Sequence, residues 1–152
     1  MELIAYEMEY TDKTIEECNI NCIKFEEKYF NDYIRIYNEC FYDMRKALDR
    51  KPYNFLSDYK QIINHIDNIY LLIENNQIIG SVACYGNEVD DLIVNKKYQN
   101  KGYGKKLLLF AMHVIRKSNN DPITLHVAKW NENALKLYQN VGFVIKGTEI
   151  IG

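Results

Sequence analysis

The stretch Leu92-Ile93-Val94-Asn95-Lys96-Lys97-Tyr98-Gln99-Asn100-Lys101-Gly102-Tyr103-Gly104-Lys105-Lys106-Leu107-Leu108 runs an apolar strand into a loop with two glycines and then directly into an apolar helix. Two glycines flanking one residue let the backbone come close to a ligand. The helix that follows directs unpaired N–H groups and the positive end of its dipole at the same point. A phosphate is the expected guest. Lys96, Lys97, Lys101, Lys105 and Lys106 crowd the segment, and lysines in a first helical turn oppose the dipole unless something negative lies nearby. They suggest a polyanionic cofactor. The dinucleotide fingerprint asks for a third glycine, which falls at Leu107 here. The nucleotide phosphate loop asks for Ser or Thr after Gly-Lys, and Gly104-Lys105 is followed by Lys106. Neither motif fits.

A second block lies downstream. Ile123, Leu125 and Val127 alternate with Thr124, His126 and Ala128, which suits a strand. Ala134, Leu135, Leu137, Tyr138 and Val141 carry helical spacing up to Gly142, and Asn131 is placed to cap that helix. By residue chemistry alone this is an ordinary strand-helix-strand packing unit.

Together the two blocks resemble the GCN5-related N-acetyltransferases. Gln99-x-x-Gly102-x-Gly104, preceded by Leu92-x-Val94, is similar to that family's acetyl-CoA loop, and Asn131-x-x-Ala134-x-x-Leu137-Tyr138-x-x-x-Gly142-Phe143 is similar to its second motif. The resemblance is close over about residues 69 to 147 and rests on element order before that. It implies an α/β (α+β) fold: a mixed, mostly antiparallel central sheet flanked by helices, with a splayed parallel strand pair at the acetyl-CoA site. It implies that Leu92, Ile93 and Val94 line the acetyl and pantetheine end. Asn100, Lys101, Gly102, Tyr103, Gly104 and Lys105 would hold the pyrophosphate through backbone N–H groups, with Gln99 capping or orienting the loop. Asn131 would contact the pantetheine arm or orient its helix. No metal is implied.

The implied reaction is transfer of an acetyl group from acetyl-CoA, as co-substrate, to a primary amine of a small molecule or peptide by direct attack. A lysine-like amine is neutral only about one time in 2,500 at pH 7, a handicap of about 4 to 5 kcal/mol, so a base or water relay must help. His126 is one candidate, since an imidazole titrates near operating pH. Glu88, Asp90 and Asp91 are rivals, with strand alternation putting Glu88 and Asp90 on the face of Leu92. The sequence does not choose between them. Tyr138 stands where the family places a tyrosine that protonates the departing thiolate, and its phenol is protonated at pH 7. A backbone N–H near Val94 is suited to stabilising the oxyanion. The resemblance puts the acceptor pocket in about Phe30 to Tyr59, where Tyr37, Phe41, Tyr42, Tyr53, Phe55 and Tyr59 either wall it or, as their helical spacing favours, pack the core, and Glu39, Asp43 and Asp58 offer counter-charge. The alternative function is a non-catalytic acyl-CoA-binding or sensing module.

At 152 residues the chain is expected to form one domain, with residues 1–18 an extra N-terminal strand or arm. Nineteen Lys and Arg against 21 Asp and Glu give a net charge of -2, which argues against nucleic acid as a partner. Cys18, Cys22, Cys40 and Cys84 lack metal-ligand spacing and the start has no signal-peptide character, so a cytoplasmic location with reduced thiols is expected. The longest apolar run, Leu107 to Met112, is too short for a bilayer.

Strands are expected at Leu3 to Tyr10, Ile20 to Phe25, Ile69 to Ile73, Ile78 to Tyr85 and Glu88 to Val94, with helices over about 29 to 47 and 54 to 66. The order is β-β-α-α-β-β-β-α-β-α-β. After Phe143 only one short strand has room, where the family has two. Either a partner chain fills the sheet edge, making a homodimer, or the N-terminal segment takes the place.

Overall fold

The computed structural model describes residues 2–151. Its centre is a sheet of seven strands: β1 (Leu3–Tyr10), β2 (Ile23–Lys24), β3 (Ile69–Glu74), β4 (Gln77–Tyr85), β5 (Glu88–Val94), β6 (Ile123–Ala128) and β7 (Val144–Ile151). The order is β2-β3-β4-β5-β6-β1-β7. Every neighbouring pair is antiparallel except β5 and β6, which run parallel. Helices α1 (Phe30–Ala47), α2 (Tyr103–Ser118) and α3 (Glu132–Val141) flank it. This is the mixed, mostly antiparallel α/β fold the sequence implies.

Local chemistry sets these elements. Asn75 and Asn76, at φ 51° and 60°, make the two-residue turn between β3 and β4, as the left-handed tolerance of asparagine allows. Helix α2 buries Leu107, Leu108, Ala111, Met112 and Ile115 in the core beneath one face of the sheet, with Met8, Val89, Leu125 and Tyr138. Helix α1 buries Tyr33 and Ile36 against Ile69, Leu71, Ile78 and Ile93 on the other. Gly80 permits the first packing: a Cβ there would lie 2.6 Å from Leu107 Cδ1 and 2.7 Å from the Ile93 carbonyl oxygen. None of the helices in the described residues is long and apolar enough to cross a membrane.

Two expected elements change. The helix over 54 to 66 is replaced by short 3-10 turns at Tyr59–Gln61 and Ile63–Asn68. Side chains there satisfy the backbone in non-helical ways: Gln61 Oε1 accepts from the N–H groups of Ser57 and Asp58, and Asn38 bonds both backbone groups of Leu56. The strand at Ile20 to Phe25 shrinks to Ile23–Lys24, where both residues are exposed and pair only with β3. β1 lies inside the sheet, between β6 and β7, and residues 11 to 22 continue from it as a strap along α2. The strap is held by His113 Nε2 against the Glu16 carbonyl (2.8 Å) and by Arg116 donating to the Asp12 carbonyl (3.0 Å).

Candidate active site

β5 and β6 share only two rungs, Glu88 with Thr124 and Val89 with Leu125, although both strands continue. The reason is on the other side of β5. Its pairing with β4 jumps from Ser81–Ile93 to Ala83–Asp90, and Asp91 sits at φ 46° in the resulting bulge. A bulge bends its strand and increases its twist, which carries Leu92–Val94 away from β6 and opens a fork. The bulge also breaks alternation. Leu92 packs with Val89 on the α2 side, so Glu88 and Asp90 are not on its face, as regular alternation had implied.

Backbone groups point into this fork. Asn95 N donates to the Ile79 carbonyl (2.9 Å), so alternation turns the N–H and C=O of Val94 away from β4. The Val94 carbonyl accepts from Gln99 Nε2 (3.0 Å) and Cys40 Sγ (3.2 Å). Gln99 thereby ties the glycine loop to the end of β5.

Below the fork lies the start of α2. Gly102, at φ 88°, occupies the cap position, and no side chain caps the helix. The first return bond is from Lys106 N to the Gly102 carbonyl (3.3 Å), so the N–H groups of Tyr103, Gly104 and Lys105 keep no capping acceptor. A Cβ on Gly102 would meet nothing within 4 Å, leaving the approach open, whereas one on Gly104 would stand 3.4 Å from Leu137 Cδ2. Gly102 therefore shapes the loop, while a Cβ at Gly104 would only touch Leu137 of α3. Three of the five lysines have partners: Lys105 pairs with Glu16 at 3.0 Å, while Lys101 and Lys106 lie over the rings of Tyr98 and Tyr103. A polyanion is not needed to account for them, and the phosphate argument rests on the backbone.

Fork, helix start, α3 and the C-terminal half of α1 converge on a cleft of about 580 Å³. Leu92, Ile93, Val94, Gln99, Asn100, Gly102, Tyr103, Gly104, His126, Asn131 and Tyr138 all line it; Glu88, Lys101 and Lys105 do not. Asp90, Asp91, Glu39 and Asp43 line it as well. Cys40 and Trp130 are additions that the sequence reading missed, although Trp130 directly precedes the Asn131 motif.

The side chains are poised differently. Tyr138 is 9% exposed, and its hydroxyl has no hydrogen-bond partner among the described residues; burial, and then the Asp90 charge, push its pKa far above the usual phenol range. It remains protonated. His126 Nδ1 lies 2.9 Å from Glu88 Oε2, and that bond raises the imidazole pKa, with Glu149 and Glu7 adding to it. Burial, and then the Asp90 charge, push Asp91 up to about 7. Asn131 Oδ1 accepts from Ala134 N (3.2 Å) and caps α3. The cleft thus offers backbone donors for an anion, a buried phenol and a carboxyl that titrates near neutrality.

Among curated relatives, N-alpha-acetyltransferase 30 of Xenopus laevis is 27% identical over 104 residues, 62% of this chain and 38% of that protein. The Homo sapiens protein of the same name is 26% identical over 104 residues, 62% of this chain and 28% of that protein. The chain spans well under half the length of these relatives. A putative GNAT-family acetyltransferase from Novosphingobium aromaticivorans superposes with a TM-score of 0.70 at 13% identity, over 99% of this chain and 63% of that one. The PaiA N-acetyltransferase of Thermoplasma acidophilum, solved in complex with coenzyme A, does so at 0.66 and 19%, over 86% and 93%. These two likenesses are of fold. A family model described as the acetyltransferase (GNAT) family matches residues 30–143, most of the chain, and the chain belongs to that family.

Proposed function

We propose that this chain is an acyl-CoA-dependent N-acetyltransferase that passes the acetyl group of acetyl-CoA to a primary amine by direct attack. The observation that carries this reading is the β5–β6 fork, with uncapped α2 N–H groups at one end and Tyr138 and Asp91 at the other. The first turn of α2 and the Gly102 backbone are suited to a pyrophosphate. The N–H of Val94 faces the fork and can donate to a thioester oxygen as negative charge grows on it. Tyr138 presents a phenol proton to the departing sulfur. Asp91 takes a proton from the incoming ammonium, directly or through water; as the N–C bond then forms and the C–S bond breaks, the phenol proton goes to sulfur and the proton left on nitrogen restores the phenol through water.

Asp91 fits the base role better than His126. A carboxyl held at about 7 is partly ionised at neutral pH, whereas Glu88 biases His126 towards the imidazolium form. The relatives named for N-alpha acetylation support a peptide amine as one acceptor, and small-molecule amines fit the same chemistry. Thiol release from acetyl-CoA over a panel of amines tests the reading. Turnover that Tyr138→Phe lowers about 10- to 100-fold in kcat, with acetyl-CoA binding kept, is expected. Tight binding without turnover across the panel would instead favour an acyl-CoA-binding module.

A further inference from the structure

We infer that two copies of this chain pair through β7, antiparallel about a two-fold axis at Thr148, so that their sheets join into one. With β1 lodged between β6 and β7, the sheet has two edges, β2 and β7. β2 is two residues long and gives another strand little to pair with. β7 is eight residues long, has no proline, and every residue of it but Gly147 is exposed. Val144, Ile145, Ile150 and Ile151 are among them, Ile150 by 65%. A long apolar strand on an open edge is a template for a further strand. The strand that fits it is a second β7.

The backbone settles which groups are free to pair. Lys129 N donates to the Ile4 carbonyl, so Ile4 faces β6, and by alternation Leu3, Ala5, Glu7 and Glu9 face β7. Their partners Ile151, Glu149, Gly147 and Val144 are thereby turned inward. Thr148 and Ile150, and Ile145 beyond the bulge, turn their N–H and C=O groups to the open edge. Lys146 is the extra residue of that bulge, without a partner on β1. Centred on Thr148, the outward groups meet those of a second copy: Thr148 meets Thr148, and Ile150 meets Ile145. The bulge of each copy then lies opposite Glu149 of the other, so its extra residue costs no register.

The side chains agree. Ile145 and Ile150 stand opposite Met8 and Ile4 on the α2 side of the sheet, and they meet each other there. Val144 and Ile151 stand opposite Glu9 and Leu3 on the other face, and they too meet. Lys146, which has no salt-bridge partner among the described residues, comes beside Glu149 of the second copy. Apolar meets apolar and acid meets base, twice each, as a two-fold interface requires. Slipping by one rung either way sets Glu149 against Glu149 or Lys146 against Lys146, and like charges directly opposite are unfavourable.

Sedimentation equilibrium of the chain over a range of concentrations tests this. A monomer–dimer equilibrium with a Kd on the order of micromolar is expected. Thr148→Pro removes an N–H that faces the open edge and leaves the bonds to β1 in place, so the circular dichroism should be kept while the Kd rises more than about ten-fold. Glu149→Lys sets like charges opposite each other at two places and should raise the Kd about ten-fold, and Lys146→Glu added to it should restore the parent value. The charge exchange decides the matter even where the proline variant fails to fold. A parent that stays monomeric up to about 1 mM overturns the proposal and leaves the edge to a strand of another protein. A dimer that survives Thr148→Pro, or a charge exchange without recovery, overturns it as well.

Discussion

Asp91 sits in the β5 bulge at φ 46°, with its carboxyl beside Asp90 and pushed up to about 7. If it takes the amine proton, kcat/KM rises with pH through about 7, and Asp91→Asn removes that limb while lowering kcat about 10²- to 10⁴-fold. The same residue marks stability in a definite sense. The folded chain holds this proton more tightly than the unfolded chain, where Asp titrates near about 3.9, so its contribution favours folding at acid pH and is lost as pH rises from about 4 to about 7. Asp91→Asn should therefore raise the melting temperature at about pH 8 and leave it near the parent's at about pH 4, read by thermal denaturation at both. Tyr138 was legible in the sequence because its motif fixes its register. Asp91 could be named only as one of several carboxylates, since a period-two reading has no place for an extra residue. Two adjacent aspartates in an apolar strand, types depleted in strands, were the available hint of a bulge.

The helices and strands that hold the site depend on a few close approaches. Gly80→Ala places a Cβ against Leu107 Cδ1, the end of a side chain that can turn aside, and against the Ile93 carbonyl oxygen, which is backbone of the neighbouring strand, so β4 and β5 must shift apart there. A loss of about 2 to 3 kcal/mol in urea unfolding is expected. Gly102→Ala meets no atoms but adopts a left-handed conformation, and should cost about 1 kcal/mol while weakening acetyl-CoA binding. The sequence showed α1, α2, α3 and the β3–β4 hairpin because periodicity and turn residues agree there. It misled over 54 to 66, where apolar residues have helical spacing but the Gln61 and Asp58 side chains capture the backbone locally. The lysines near α2 misled in another way: Lys105 is paired by Glu16 of the distant strap, and Lys101 and Lys106 lie over neighbouring tyrosine rings.

At the scale of the whole molecule, β1 decides how the sheet is completed. It pairs with β6 along six residues and with β7 along most of its length, and contributes Met8 and Tyr10 to the core. A chain lacking residues 2–10 should lose cooperative unfolding by circular dichroism, as a peripheral arm would not. The sequence showed a strand at Leu3 to Tyr10 and left its place beside the last strand as one of two alternatives, because pairing between segments far apart in sequence leaves no local pattern. The central claim, that the fork and the start of α2 form an acetyl-CoA site, is tested most directly by calorimetric titration of acetyl-CoA into the parent and into Gly102→Asp, Gly104→Asp. A Kd on the order of micromolar in the parent, lost in the variant, is expected; absence of binding by the well-folded parent would contradict it.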